Sequence, residues 1–153
     1  MNLSDFLSDG RFLVDLQSAD KIGVLRELSE FAFEKGLVDD PDAMFQGLVN
    51  REELISTGIG GGVAIPHTRC KGSSRLFLVF GRSKSGVDFD ALDGESAHLF
   101  VTIVGPEDES SNQLKVLSRT ARLLKQNEFR EEILKAKTED EVLRYIRQEE
   151  DRW

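Results

Sequence analysis

The stretch Arg75–Arg82, RLFLVFGR, is apolar on both faces through its centre. A strand with one face in water alternates apolar and polar residues, so a continuous apolar run needs cover on both sides. That requirement predicts an interior strand of a sheet with helices on either face. Ala97–Val104, AHLFVTIV, is a second clear strand, closed by Gly105-Pro106. Val63-Ala64-Ile65 and Phe12–Leu16 are shorter apolar runs expected to be strands, and Val87–Gly94 is expected to be a short extended piece and a turn.

The flanking sequence supplies the cover. Ser18 or Asp20 can cap a helix to about Lys35, with Val24, Leu25, Leu28, Phe31 and Ala32 on one stripe and Gly36 as its stop. Asp40-Pro41 starts a second helix, capped by the aspartate, whose buried face is Met44, Phe45, Leu48 and Val49. The last third is helical. Ser110 or Ser111 caps a helix lined by Leu114, Leu117, Ala121 and Leu124, and Asn127 caps one carrying Phe129, Ile133 and Leu134. Thr138 opens a third with the Ser/Thr-x-x-Glu spacing of a capping box. No internal repeat or long linker divides the chain, so residues 1–153 are expected to form one α/β domain with a covered sheet.

Composition excludes several functions. A net charge of −8 argues against nucleic acid, whose phosphates recruit basic faces. There is no apolar segment of bilayer length and no basic, apolar leader, so no membrane insertion is expected. A single cysteine, Cys70, forms no intramolecular disulfide, in keeping with a cytoplasmic protein.

The least ordinary sequence is Arg51–Cys70, REELISTGIGGGVAIPHTRC. Four glycines, Gly58, Gly60, Gly61 and Gly62, precede a short apolar run and then Pro66-His67. No Gly-Lys-Ser/Thr follows, so this is not a nucleotide P-loop, and no complete G-x-G-x-x-G is present. Glycines allow close backbone approach, and their N–H groups can bind an anion; the alternative is a tightly turned connection.

His67 is one of two histidines, and a neutral imidazole is a nucleophile near pH 7. Phosphoryl transfer to it needs positioning and N–H-rich or cationic surroundings. Pro66 rigidifies the approach, the glycines offer N–H groups and Arg51 offers a fork. Arg51 shares the helix face of Met44 and Leu48, where a guanidinium either meets an anion or snorkels to solvent.

His67-x-x-Cys70 has the spacing of a metal pair, but a closed zinc site needs about four ligands and the chain has one Cys and two His. No metal or cofactor is expected. Cys70 between Arg69 and Lys71 is a weaker candidate for a reactive thiol, and no G-x-S-x-G elbow supports serine hydrolysis. His98, at the head of its strand, is expected to face solvent without a role.

RE-x₃-STGIGGGVAIPH resembles the signature of the IIA domains of the bacterial sugar phosphotransferase system (PTS), in the fructose/mannitol/nitrogen-regulatory class. Arg51, Thr57-Gly58-Ile59-Gly60, Gly62 and Pro66-His67 carry the resemblance. It continues through VDFDALDGESAHLFVTIVGPE and the later helices, over about residues 3–148. The resemblance implies a mixed sheet covered by helices on both faces. It implies that His67 is phosphorylated through Nε2 by phosphohistidine on HPr or its nitrogen-branch equivalent, and that a IIB domain or a regulatory target is the next partner. Arg51 would then stabilise the phosphoryl group, with Thr57, Gly58, Gly60 and Gly62 as the supporting loop.

The chain departs from that family at Gln113, where a second histidine is common. Glutamine still makes hydrogen bonds but cannot become a cation. Two alternatives to the carrier remain open: a regulator that binds a transporter, kinase or transcription factor with His67 as a switch, and a homologue that binds without transferring.

Overall fold

The computed structural model describes residues 2–6, 12–13, 15–73 and 75–153. A short 3-10 turn, Leu3–Phe6, precedes β1 (Phe12–Leu13), α1 (Lys21–Glu34) and α2 (Pro41–Leu54). Then come β2 (Gly58–Gly60), β3 (Val63–Ala64), β4 (His67–Arg69), β5 (Phe77–Val87) and β6 (Ala97–Gly105). The chain closes with α3 (Ser110–Leu124), α4 (Asn127–Lys135) and α5 (Glu139–Glu150).

The strands form one mixed sheet in the order β1-β5-β6-β3-β2, with β4 also on β6. β5 and β6 pair antiparallel, and β1 runs parallel to β5. β3 and β4 lie parallel along β6 one after the other, with Val63 opposite Leu99 and His67 opposite Ile103. The register does not slip between them. Ile65 and Pro66 join the two strands, Pro66 giving its carbonyl to Ile103 N–H.

β5 is interior, as its double-sided apolarity predicts, and its side chains divide between two cores. Leu78 and Phe80 pack with Leu99, Val101 and Ile103 of β6 against α3, α4 and α5. Phe77 and Val79 pack with Phe100 and Val104 against α1 and α2. Each such side chain stabilises the fold by roughly 1.5–3 kcal/mol through burial.

Local signals set the helix starts. Asp20 and Asp40 accept hydrogen bonds from the N–H groups of Gly23 and Ala43 at 2.7 and 3.1 Å, and Thr138 from Glu141 N–H at 3.2 Å. Each cap contributes about 1 kcal/mol. Gly36, at φ 72°, ends α1 as expected.

Several expectations change. The first strand is described only at Phe12–Leu13; Val14 lies outside the described residues, and Asp15 and Leu16 lie beyond the strand. β5 begins at Phe77 rather than Arg75, and it runs on to Val87 through a register shift after Arg82. The residues at the N-caps of α3 and α4 are Glu109 and Gln126, neither capping through its side chain; Ser110 and Asn127 are the first helical residues. Leu134 is 45% exposed rather than part of the buried face.

The inward face of α3 is also rotated. Gln113, Val116, Thr120, Leu123 and Leu124 are buried, Leu117 and Ala121 are partly buried, and Leu114 is 64% exposed. The polar Gln113 can face inward because its amide donates to the carbonyl of Thr68 at 2.6 Å.

Candidate active site

The last turn of α2 and the first residue of β4 meet at His67. Arg51 Nε–H donates to His67 Nε2 at 3.2 Å, and Arg51 Nη1 donates to the Ile55 carbonyl at 2.8 Å. On the other side of the ring, Nδ1 lies 2.8 Å from the carbonyl oxygen of Ile65. That oxygen can only accept, so Nδ1 carries the proton. Arg51 Nε can only donate, so Nε2 presents its lone pair. The two contacts independently require the same tautomer.

Burial holds the His67 pKa below its ordinary value of 6.5, and the Arg51 charge pushes the same way. The Ile65 hydrogen bond and the Glu52 carboxylate oppose them. The ring is therefore neutral near pH 7, with a nucleophilic nitrogen directed at a guanidinium.

That nitrogen sits in an open cleft of about 750 Å³ whose walls include Asn50, Arg51, Leu54, Arg69, Glu107 and Gln113. Arg51 and Arg69 give it two guanidinium groups. Gln113 reaches it from α3 and ties β4 through the Thr68 carbonyl, so the structure brings His67, Arg51 and Gln113 to one place. It does not bring the glycines there.

Gly58–Gly60 is a strand, and Gly60, Gly61 and Gly62 turn it back on β3 at φ 92°, 67° and 80°. Two of the N–H groups expected to receive an anion have other partners. Gly58 N–H goes to Ser56 Oγ at 3.0 Å and Gly61 N–H to Asp93 Oδ2 at 2.9 Å. The N–H groups of Gly61 and Glu95 hold the Asp93 carboxyl below its usual range. Thr57 is buried away from the cleft, with its N–H and hydroxyl on the Glu52 carboxylate. Thr57, Gly58, Gly60 and Gly62, the support that the resemblance implies, are not among the residues lining the cleft; the glycines form a hairpin with β3.

Glu52 is the residue that sequence reasoning missed. Next to Arg51 in sequence, it resembles one more solvated acid. In the fold it is buried, holds Thr57, and pairs with Lys21 Nζ at 2.9 Å at the start of α1. The pair ties α1, the end of α2 and the loop after it together. In the sequence Arg69 stands out only as a neighbour of Cys70, and β4, which places it at the cleft, is too short to leave a periodic signal.

Cys70 is buried, and among the described residues no three His, Cys, Asp or Glu side chains come together as a metal set. Nor does any described helix have the length and apolarity to cross a membrane. His98 does not simply face solvent: it is half-buried, and its Nδ1 lies 2.9 Å from the Ser83 carbonyl.

Residues 5–149 match the family described as phosphoenolpyruvate-dependent sugar phosphotransferase system, EIIA 2. The chain is 35% identical over 148 residues to the PTS fructose-specific EIIABC component of Bacillus subtilis, covering 97% of this chain but only 23% of that protein. It is 31% identical over 146 residues to a nitrogen regulatory protein of Pseudomonas aeruginosa, covering 95% of each. The crystal structure of nitrogen regulatory protein IIA-Ntr from Neisseria meningitidis superposes with a TM-score of 0.86 at 30% identity, over 94% of this chain and 97% of that one. A match over nearly the whole sequence, with the same fold, establishes that the chain belongs to the PTS EIIA type 2 family.

Proposed function

We propose that this protein is a phosphocarrier in which His67 Nε2 accepts a phosphoryl group from phosphohistidine on an HPr-like protein and passes it to a IIB domain. The observation that carries this is the tautomer fixed by Arg51 and Ile65, which leaves Nε2 as a neutral nucleophile at an open cleft. The Nε2 lone pair forms the new N–P bond as the donor N–P bond breaks, and that bond's electron pair returns to the donor imidazole. The proton stays on His67 Nδ1. The Ile65 carbonyl steadies the positive charge that builds on the ring, while Arg51 moves from Nε2 to the phosphoryl oxygens.

The cleft suits a protein donor. Leu54 on its wall is 81% exposed and neighbouring Ile55 is 60% exposed, apolar surface that another protein can cover. The family supports a cytoplasmic setting for this exchange.

A second role is favoured by the full-length match to a nitrogen regulatory protein. There the phosphorylated and free forms would be read by a regulatory target, with the same chemistry at His67.

The test is incubation with the general phosphotransferase enzyme, HPr and labelled phosphoenolpyruvate. Acid-labile label on the wild type, absent from His67→Ala, is the expected result. An unlabelled wild type would overturn the carrier function. Added IIB domains then show whether the label moves on or stays as a regulatory mark.

A further inference from the structure

Both hydrogen bonds that fix the His67 ring lead back to one short segment. On the Nε2 side, Arg51 is held by the Ile55 carbonyl, which it reaches through Nη1 at 2.8 Å. On the Nδ1 side, the Ile65 carbonyl accepts the ring proton, and Ile65 N–H donates to the Thr57 carbonyl at 3.0 Å. Ile55 and Thr57 stand two residues apart where the chain leaves α2. Whatever fixes that segment sets both sides of the ring.

Glu52 fixes it. Thr57 N–H lies 3.2 and 3.1 Å from the two oxygens of the Glu52 carboxylate, and the Thr57 hydroxyl donates to Oε1. Ser56, between Ile55 and Thr57, is tied separately, its hydroxyl donating to the Phe89 carbonyl at 2.6 Å. Lys21 Nζ, 2.9 Å from Glu52 Oε2, supplies the opposite charge that a buried carboxylate requires.

Stability alone does not call for a carboxylate in this place. A buried ion pair contributes little beyond a well-packed apolar pair of the same volume, because desolvation offsets the attraction. Charge-assisted hydrogen bonds are stronger than neutral ones, and two of them on one residue define its position. Neither Glu52 nor Thr57 lines the cleft, so neither touches the reacting atoms. Their influence passes through Arg51 and Ile65.

We propose that Glu52, acting through Thr57, is the positioning residue of this site. It holds the Ile55 and Ile65 carbonyls in the places that keep His67 as the Nδ1–H tautomer, with Nε2 facing Arg51. Its effect on transfer rate rests on the phosphocarrier reading; its effect on the ring does not.

The ring can be read directly in ¹⁵N-histidine-labelled protein at pH 8, where two-bond proton–nitrogen couplings distinguish protonated from bare ring nitrogens. Wild type should show His67 as Nδ1–H alone. So should Glu52→Gln, which keeps an oxygen for the Thr57 N–H. Glu52→Ala should show both tautomers of His67 while the His98 signals stay as in wild type. It should also accept the phosphoryl group from phospho-HPr about tenfold more slowly in a single turnover, within the cost of a misplaced reacting group.

A single Nδ1–H tautomer in folded Glu52→Ala overturns the proposal, and so does a wild-type rate. Equal mixtures in Glu52→Gln and Glu52→Ala also overturn it, because charge rather than hydrogen bonding would then be what acts. Should Glu52→Ala fail to fold, Thr57→Val decides, since it loses only the hydroxyl bond. A minor second tautomer and slower transfer are expected there, and wild-type behaviour in both overturns the proposal. An unlabelled wild type would end the carrier reading and leave the tautomers to decide the role of Glu52.

Discussion

The two histidines of this chain are held alike on one side and differently on the other. In both, Nδ1 lies against a backbone carbonyl, Ile65 at 2.8 Å for His67 and Ser83 at 2.9 Å for His98. At His67, Nε2 meets a guanidinium in an open cleft. At His98, the same nitrogen lies against the backbone of Gly86, so close that an added Cβ there would come within 2.9 Å of it. A carbonyl on Nδ1 therefore selects a tautomer without creating a reactive site. Reactivity requires that Nε2 be open to an electrophile with a cation to receive its charge.

The sharpest break is at the nucleophile. His67→Ala should abolish phosphoryl acceptance, measured as acid-labile label after exchange with phosphorylated HPr. Peptide mapping of the wild type should place the label on His67; label on His98 would end the distinction.

Arg51→Ala tests the cation. Removing one preorganised donor to a developing charge costs about 10²–10³ in rate. Single-turnover transfer from phospho-HPr measures it, and Arg51→Lys should restore part of the rate, since it restores charge without the fork. A rate within about twofold of wild type would mean that the guanidinium only orients the resting ring.

The opposite face of the comparison is tested at Gly86, which has φ 86°. Gly86→Ala must push the His98 ring away and hold alanine in a left-handed conformation, a destabilisation of roughly 1–3 kcal/mol. Chemical denaturation measures the loss. Unchanged stability would show that His98 is not wedged against the turn.

These contrasts also explain what the sequence revealed. The long strands β5 and β6 were legible because burial on both faces leaves an unbroken apolar run. The caps at Asp20, Asp40 and Thr138 were legible because each depends on residues a few positions apart. β2 and β4, at three residues each, are too short for periodicity, and β2 is two-thirds glycine. His67 and Arg51 stood out by residue type and helix position. Glu52 did not, because its ion-pair partner Lys21 is brought to it by the packing of α1 on α2. The glycines marked a special turn correctly, but sequence adjacency to His67 could not reveal that Asp93 takes the Gly61 N–H. The inward rotation of α3 likewise depends on a carbonyl from β4 that satisfies Gln113.

The pH dependence separates His67 from an ordinary solvated histidine. Only the neutral ring can attack, so acceptance falls as pH drops through the pKa of the folded protein. Burial and Arg51 lower that pKa, so the acid limb should have its midpoint below 6.5. Other charges at the site are Glu52 behind Arg51, which opposes the shift, and Arg69 and Glu107 on the cleft walls. Arg51→Ala removes one lowering influence, so its midpoint should move up towards 6.5. Transfer from phospho-HPr across pH 5–8 checks both, with HPr held at saturation. A wild-type midpoint above 6.5 would contradict the buried, neutral ring.

The smallest effect is expected at Gln113, where the site has a polar side chain that cannot titrate. Gln113 is buried and its amide donates to the Thr68 carbonyl, so it braces the strand that carries His67. In Gln113→His one ring nitrogen can keep that bond, and on protonation the ring becomes a cation beside the phosphoryl group. A partly screened charge at that range contributes about 1 kcal/mol, or roughly fivefold in rate. The gain should appear only where the new histidine is protonated. The ratio of variant to wild-type transfer should therefore exceed one near pH 6 and fall towards one by pH 8. Superimposable profiles would confine Gln113 to bracing β4. Gln113→Ala then measures the brace alone, as a stability loss of about 1 kcal/mol with no change in the shape of the profile.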